Sequence, residues 1–124
     1  MGRNLIVCCD GTSNQFGPNN TNVVRLYQLL DLPRGENSAP AGDAEQIGFY
    51  DPGVGTFDYS GQYRESALRR IWGQATGKGI RQNICEAYRF LMDWHMPGDR
   101  VFLFGFSRGA YTARALSGML HQVG

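Results

Sequence analysis

Ser107 is the residue best placed to do chemistry, because it stands at the centre of a Gly-x-Ser-x-Gly pentapeptide formed by residues 105–109. Four apolar residues precede this pentapeptide, and an alanine-rich stretch follows it. That order is typical of a nucleophile elbow, in which a strained strand-to-helix turn projects the serine hydroxyl from the sheet. Gly105 and Gly109 lack side chains and would let strand and helix approach closely. The structural alternative is a Ser/Gly turn that only packs strand on helix.

Backbone N–H groups near Ser107 would have to stabilise the oxyanion that forms during acyl transfer. The N–H of Arg108 is the first candidate donor, because it lies at a helix N-terminus where the dipole favours negative charge. Gly11 and Thr12 are the candidates for the second donor, since they follow another apolar run, residues 5–9. If those two strands are neighbours, both loops lie at one sheet edge, where α/β proteins bind ligands.

Two aspartates also follow predicted strands. Asp10 could line the same site or cap its own loop through side-chain-to-backbone hydrogen bonds. Asp51 could be a triad acid, a cation ligand paired with Asp10, or the cap of the turn at Pro52, and the turn cap is favoured. A phosphotransfer site at Asp10 is disfavoured, because that chemistry needs an aspartate two residues earlier, where Cys8 stands.

Neither of the two histidines is expected to reach Ser107. His121 follows Ser107 by 14 residues on the same predicted helix, which places it about 21 Å away along the axis. His95 precedes the third strand and belongs at the opposite sheet edge, about 16 Å away. A general base has to lie within about 3 Å of the proton that it removes. Neither histidine of this chain is therefore expected to be the base of a Ser-Asp-His triad with Ser107.

Apolar patterning predicts an α/β fold with the element order β-α-β-(α)-α-β-α. The strands are expected over residues 5–9, 46–50 and 101–104. Clear helices are expected over residues 22–30, 80–94 and 108–121, with a weaker helical signal over 64–72. Helices between strands imply parallel pairing, so we predict a three-layer fold with about three strands in the order 2-1-3. Three strands make a thin sheet with two exposed edges.

Composition narrows the class of protein. The 124 residues correspond to one small domain, and the formal charge of +1 gives no sign of a nucleic-acid interface. Three cysteines argue against a disulfide framework, and no run is long enough to span a membrane. No secretory leader is recognised, so we expect synthesis in the cytoplasm. Export would then need a secretion system that does not use an N-terminal signal. No metal or cofactor motif is present.

Several segments, including RNLIVCCDGTSNQ, QIGFYDPGVGT and PGDRVFLFGFSRGAYTARALSGML, resemble one family. It is the α/β-hydrolase-like catalytic domain of type VI secretion phospholipase effectors. The resemblance covers nearly the whole chain and implies that residues 1–124 are the N-terminal part of such a domain, a partial α/β-hydrolase fold.

The resemblance implies a serine ester hydrolase of the phospholipase or carboxylesterase class, with Ser107 as nucleophile and the triad acid and histidine outside this chain. It also implies a lipid or other ester as substrate, peripheral contact with membranes, and an immunity or delivery partner. The alternative is a catalytically inactive fragment, or a binding module of the same fold.

Overall fold

The computed structural model describes residues 2–11, 20–32, 45–53 and 78–124. Six elements follow one another within them: β1 (Asn4–Cys9), α1 (Asn22–Gln28), β2 (Gln46–Asp51), α2 (Lys78–Trp94), β3 (Arg100–Gly105) and α3 (Arg108–Val123). Thr12 and the helical signal over 64–72 lie outside the described residues.

The three strands form one parallel sheet in the order β2-β1-β3, which confirms the predicted class and order. In the register of the central strand, Leu5 lies opposite Ile47 on one side and Val101 on the other. β1 is paired on both edges and covered on both faces, which is why its sequence is apolar without alternation.

The sheet separates two apolar layers. On one face Leu5, Val7 and Cys9 pack with residues of α2 and α3, among them Leu91 and Leu116. On the other face the buried residues are Ile6, Cys8 and Val23, the last from α1. Each fully buried Leu or Val side chain contributes about 1.5–3 kcal/mol of hydrophobic stabilisation. Helices on both faces of the sheet give the predicted three-layer arrangement.

α1 is shorter than its apolar pattern predicted. Its first turn is capped by Thr21, whose hydroxyl oxygen accepts a hydrogen bond from the N–H of Val24 at 3.2 Å. The helix ends at Gln28, and Leu29 is 84% exposed, so it does not belong to the buried stripe. The predicted helix over residues 22–30 was therefore too long at its C-terminal end.

The described residues cover β3 on one face only. Val101 and Leu103 pack into the layer beneath α2 and α3. Phe102 and Phe104 point to the opposite face, where they are 41% and 38% exposed, and no described residue of α1 is grouped with them. β3 is also an edge strand of the described sheet, as the thin predicted sheet implied.

An ion pair fastens the amino edge of the sheet. The guanidinium of Arg3 lies 2.8 Å from Asp99 Oδ2 and also donates to the carbonyl oxygen of Trp94 at 2.6 Å. Asp99 additionally accepts from the N–H of Met96 at 2.9 Å. These contacts join the start of β1 to the turn between α2 and β3, at the edge opposite Ser107.

Candidate active site

Ser107 sits at a strained turn between β3 and α3. Its backbone has φ 56° and ψ −123°. Within the described part of the chain, no other residue except glycine has a positive φ. Such a conformation costs a non-glycine residue about 1–3 kcal/mol and persists only where the surrounding structure enforces it. The residue is exposed at the carboxyl end of β3. The backbone therefore has the sharp bend that the Gly-x-Ser-x-Gly pattern predicted.

Contacts with the end of β1 enforce this turn. The N–H of Phe106 donates to the carbonyl oxygen of Cys9 at 3.0 Å. A Cβ on Gly109 would overlap the carbonyl oxygens of Cys9 and Asp10, and one on Gly105 would overlap the carbonyl of Gly109. Both glycines are thus needed for the close approach of β1, β3 and α3, because any side chain would push these segments apart.

The N–H of Arg108 lies in the first turn of α3 and has no acceptor within the helix. Within the turn, the N–H groups of Gly109 and Ala110 donate to the carbonyl oxygens of Phe106 and Ser107 at 2.9 and 3.0 Å. The positive end of the helix dipole adds to the field at this N–H. Among the described residues this N–H donates to no backbone carbonyl outside the helix, and its role as an oxyanion donor stays a prediction.

The candidate second donor, Gly11, is already engaged. Its N–H donates to Asp10 Oδ1 at 2.9 Å, and the N–H of Asp10 itself donates to the carbonyl oxygen of Asp51 at 2.8 Å. In this conformation both N–H groups already have acceptors, and the role of Gly11 as an oxyanion donor stays a prediction. Thr12 was the other candidate and lies outside the described residues.

The Asp10 carboxylate is buried and accepts hydrogen bonds from residues beside α1 and in β2. It is 1% exposed, and its Oδ2 accepts hydrogen bonds from the hydroxyls of Thr21 and Tyr50, each at 2.7 Å. Burial and the hydrogen bond to Asp10 raise the pKa of the Tyr50 phenol, so this hydroxyl stays protonated and donates. Asp10 thus ties the end of β1 to α1 and β2.

Asp51 has the geometry of a turn cap. Its Oδ1 accepts from the N–H of Gly53 at 2.9 Å, across Pro52. The carboxyl group is buried, and Oδ2 has no hydrogen-bond partner among the described residues. Burial raises its pKa, although the N–H of Gly53 opposes this. In the parts of the chain described, no His, Cys, Asp and Glu cluster suited to a metal ion is found.

The histidines lie away from Ser107 along the fold. His95 follows the last residue of α2 and precedes β3, so it stands at the amino edge of the sheet. His121 is in the last turn of α3, the helix that begins beside Ser107. Cys8, at the position where phosphotransfer would require an aspartate, is buried, and burial raises its thiol pKa to about 11. Neither imidazole nor thiol is placed to act at the turn.

Sequence reasoning did not single out Thr21 or Tyr50 as site residues. In the sequence, Thr21 directly precedes the predicted helix over residues 22–30, and Tyr50 ends the predicted strand over residues 46–50. Their distances of 11 and 40 residues from Asp10 leave no local signal of a shared hydrogen-bond network.

None of the described helices is long and apolar enough to cross a membrane. No solved structure matches this chain. A protein of Saccharomyces cerevisiae described as "Uncharacterized protein YEL023C" is 42% identical over 130 residues. The match covers 99% of this chain and 18% of that relative, so the chain spans about a fifth of the relative's length.

A family model described as "T6SS, Phospholipase effector Tle1-like, catalytic domain" matches residues 3–124, which is nearly the whole chain. The matched range includes the segments that carried the resemblance. The chain belongs to the family of Tle1-like phospholipase effector catalytic domains of type VI secretion.

Proposed function

We propose that this chain carries the nucleophile portion of a serine ester hydrolase that acts on lipid esters. The observation that carries the proposal is the backbone of Ser107, a non-glycine residue held at φ 56° and ψ −123° between β3 and α3. Strain of this kind is expected at functional sites. The phospholipase description of the family model supports a lipid ester over other acyl compounds.

In the proposed reaction, Ser107 Oγ attacks the acyl carbonyl carbon, and an imidazole takes the hydroxyl proton. The carbonyl oxygen becomes an oxyanion that accepts from the N–H of Arg108 and from a second donor, for which Thr12 is the remaining candidate. The tetrahedral intermediate collapses to an acyl-enzyme as the alcohol leaves with the proton. Water then attacks the acyl-enzyme while the imidazole takes a proton from it. The fatty acid leaves as the imidazole returns the proton to Ser107 Oγ.

The imidazole is expected from residues other than His95 and His121, because their places in the fold keep both away from Ser107. We propose that the triad histidine and its acid come from further polypeptide of a longer protein. The placement of these two histidines also favours a second candidate function, an inactive module of the same fold that binds without hydrolysis.

A fluorophosphonate probe, which reacts covalently with activated serines, tests the proposal on a longer version of the protein that supplies a histidine and an acid. We expect labelling that is lost in Ser107→Ala and retained in Ser117→Ala, a matched exposed serine further along α3. Hydrolysis of short-chain esters and of phospholipid vesicles is measured on the same proteins. Labelling that survives in Ser107→Ala would overturn the assignment. No labelling either of this chain or of a longer version with a histidine and an acid would favour the inactive module.

A further inference from the structure

The carboxylate of Asp10 is a buried junction between three segments of the chain. Its Oδ1 accepts from the N–H of Gly11 at 2.9 Å, and its Oδ2 accepts from Thr21 Oγ1 and Tyr50 Oη at 2.7 Å each. Hydrogen bonds to an ionised carboxylate are shorter and stronger than those between neutral groups. Asp10 therefore fixes the end of β1 relative to the N-terminus of α1 and to β2.

Both hydroxyl donors are themselves held in place. Thr21 Oγ1 also accepts from the N–H of Val24 at 3.2 Å, so the same side chain caps α1. The ring of Tyr50 packs against the ring of Tyr27, with centroids 5.4 Å apart. Neither hydroxyl can move away from Asp10 without breaking a second contact of its own side chain. The two hydroxyls together therefore fix the position of the carboxylate.

The backbone around Asp10 is clamped on its other sides by two glycines. Gly109, in the first turn of α3, lies so close that a Cβ there would overlap the carbonyl oxygens of Cys9 and Asp10. A Cβ on Gly53, which has φ 90°, would likewise overlap the carbonyl oxygens of Gly11 and Asp10. A displacement of Asp10 would therefore be transmitted directly to the turn that holds Ser107.

We infer that Thr21 and Tyr50 are positioning residues, which act through Asp10 to set the end of β1 against the Ser107 turn. This inference rests on the proposed function. The two hydroxyls touch no reacting atom. They fix the backbone of Asp10, whose carbonyl oxygen contacts Gly109 in the first turn of α3. Misplacement of catalytic groups by about 1 Å can slow a reaction about a hundredfold.

The test compares Tyr50→Phe and Thr21→Val with the unmodified protein in the rate of fluorophosphonate labelling, all in a longer version that supplies a histidine and an acid. Each variant removes a hydroxyl that donates to Asp10 and keeps the rest of the side chain similar in size. We expect the first-order labelling rate to fall tenfold or more, while the reversible affinity for the probe stays within about twofold. Tyr27→Phe is the matched control, because it removes a phenol from the same ring pair with no bond to Asp10.

A conservative variant separates positioning from loss of structure. Thr21→Ser keeps the hydroxyl and should restore the labelling rate that Thr21→Val loses. A purely structural role would lower the unfolding temperature of Tyr50→Phe and leave the labelling rate of the folded protein unchanged, which would overturn the inference. A Tyr27→Phe variant as slow as Tyr50→Phe would overturn it too.

Failure of the proposed function is recognised separately, because the probe would then label neither this chain nor a longer version with a histidine and an acid. The inference is then decided by amide NMR on the same proteins. Tyr50→Phe should shift the amide resonances of Gly11 and Gly109, and Tyr27→Phe should leave them in place. Unchanged Gly109 resonances in Tyr50→Phe would overturn the inference, because loss of the hydrogen bond to Asp10 would then leave the Ser107 turn unaltered.

Discussion

The α-carbon of Gly109 lies against the carbonyl oxygen of Cys9, with no room for a side chain between them. This contact brings the first turn of α3 onto the end of the central strand. The N–H of Phe106 reinforces it by donating to the same carbonyl oxygen at 3.0 Å. The strained backbone of Ser107 is held between these two attachments.

Gly109→Ala should therefore destabilise the fold strongly. The new methyl group would overlap two backbone carbonyl oxygens, which cannot move aside as a flexible side chain can. We expect a loss of about 2 kcal/mol or more, in the range of overpacked buried sites. Gly118→Ala is the control within the same helix, because no described residue outside the local helix backbone comes within 4 Å of the place that its methyl group would occupy. Urea denaturation should show Gly118→Ala more stable, since alanine favours helix by about 1 kcal/mol, and equal losses would contradict the contact.

Ser107→Gly should stabilise the protein while removing the proposed nucleophile. Glycine adopts positive φ without the steric penalty that Ser107 bears at φ 56°. After subtraction of the greater entropy of glycine in the unfolded chain, a net gain of about 1 kcal/mol is expected. Ser107→Ala keeps the strain and should show no comparable gain. Thermal unfolding of the three proteins is the measurement, and a destabilised glycine variant would argue against strain at this turn.

The Arg3–Asp99 pair should make stability fall at acid pH. Hydrogen bonds from the Arg3 side chain hold the pKa of Asp99 well below its usual range, against the opposing effect of burial. A carboxyl group with a lowered folded pKa stabilises above its unfolded pKa of about 4 and loses that stabilisation as pH falls below it. The difference in unfolding free energy between the unmodified protein and Asp99→Asn should shrink from pH 6 to pH 2. A constant difference would mean that the charge of Asp99 contributes nothing.

Asp51 should make the protein less stable as pH rises, the opposite of the effect of Asp99. Burial raises its folded pKa, so its folded state holds the proton more tightly than the unfolded chain does, and stability falls as pH rises above about 4. Asp51→Asn keeps an oxygen that can accept from the N–H of Gly53 and removes the buried charge. The variant should gain stability relative to the unmodified protein between pH 4 and pH 7. If chemical denaturation shows no such gain, the side chain is better solvated than its burial implies.

Only one of the three thiols should react readily in the folded protein. Cys85 is exposed on α2, while Cys8 and Cys9 are buried in the central strand. Burial raises their pKa values to about 11 and about 12, so almost no thiolate forms near neutral pH. Titration with a thiol reagent at pH 8 should give one fast thiol, and three in urea. Fast modification of two or more thiols without denaturant would mean that β1 opens readily.

The elements of the sheet could be predicted because their signals are local. Five consecutive apolar residues in β1 indicate a strand covered on both faces, and the glycines at 105 and 109 mark a turn that needs close backbone approach. The end of α1 was missed because the stripe that includes Leu29 looks helical. Whether that side chain is buried depends on what packs over it, and it is 84% exposed.

Apolar runs and glycines act on the residues next to them, so local patterns were enough to predict the three strands and the bend at Ser107, and the helices between the strands indicated parallel pairing. The partners of the polar groups were set by the folded chain. It joined Asp10 to Tyr50 and Arg3 to Asp99, and it engaged the N–H of Gly11 that had been a candidate donor. A carboxylate can accept from any donor that the packed chain brings within about 3 Å, and that choice is made by the whole fold.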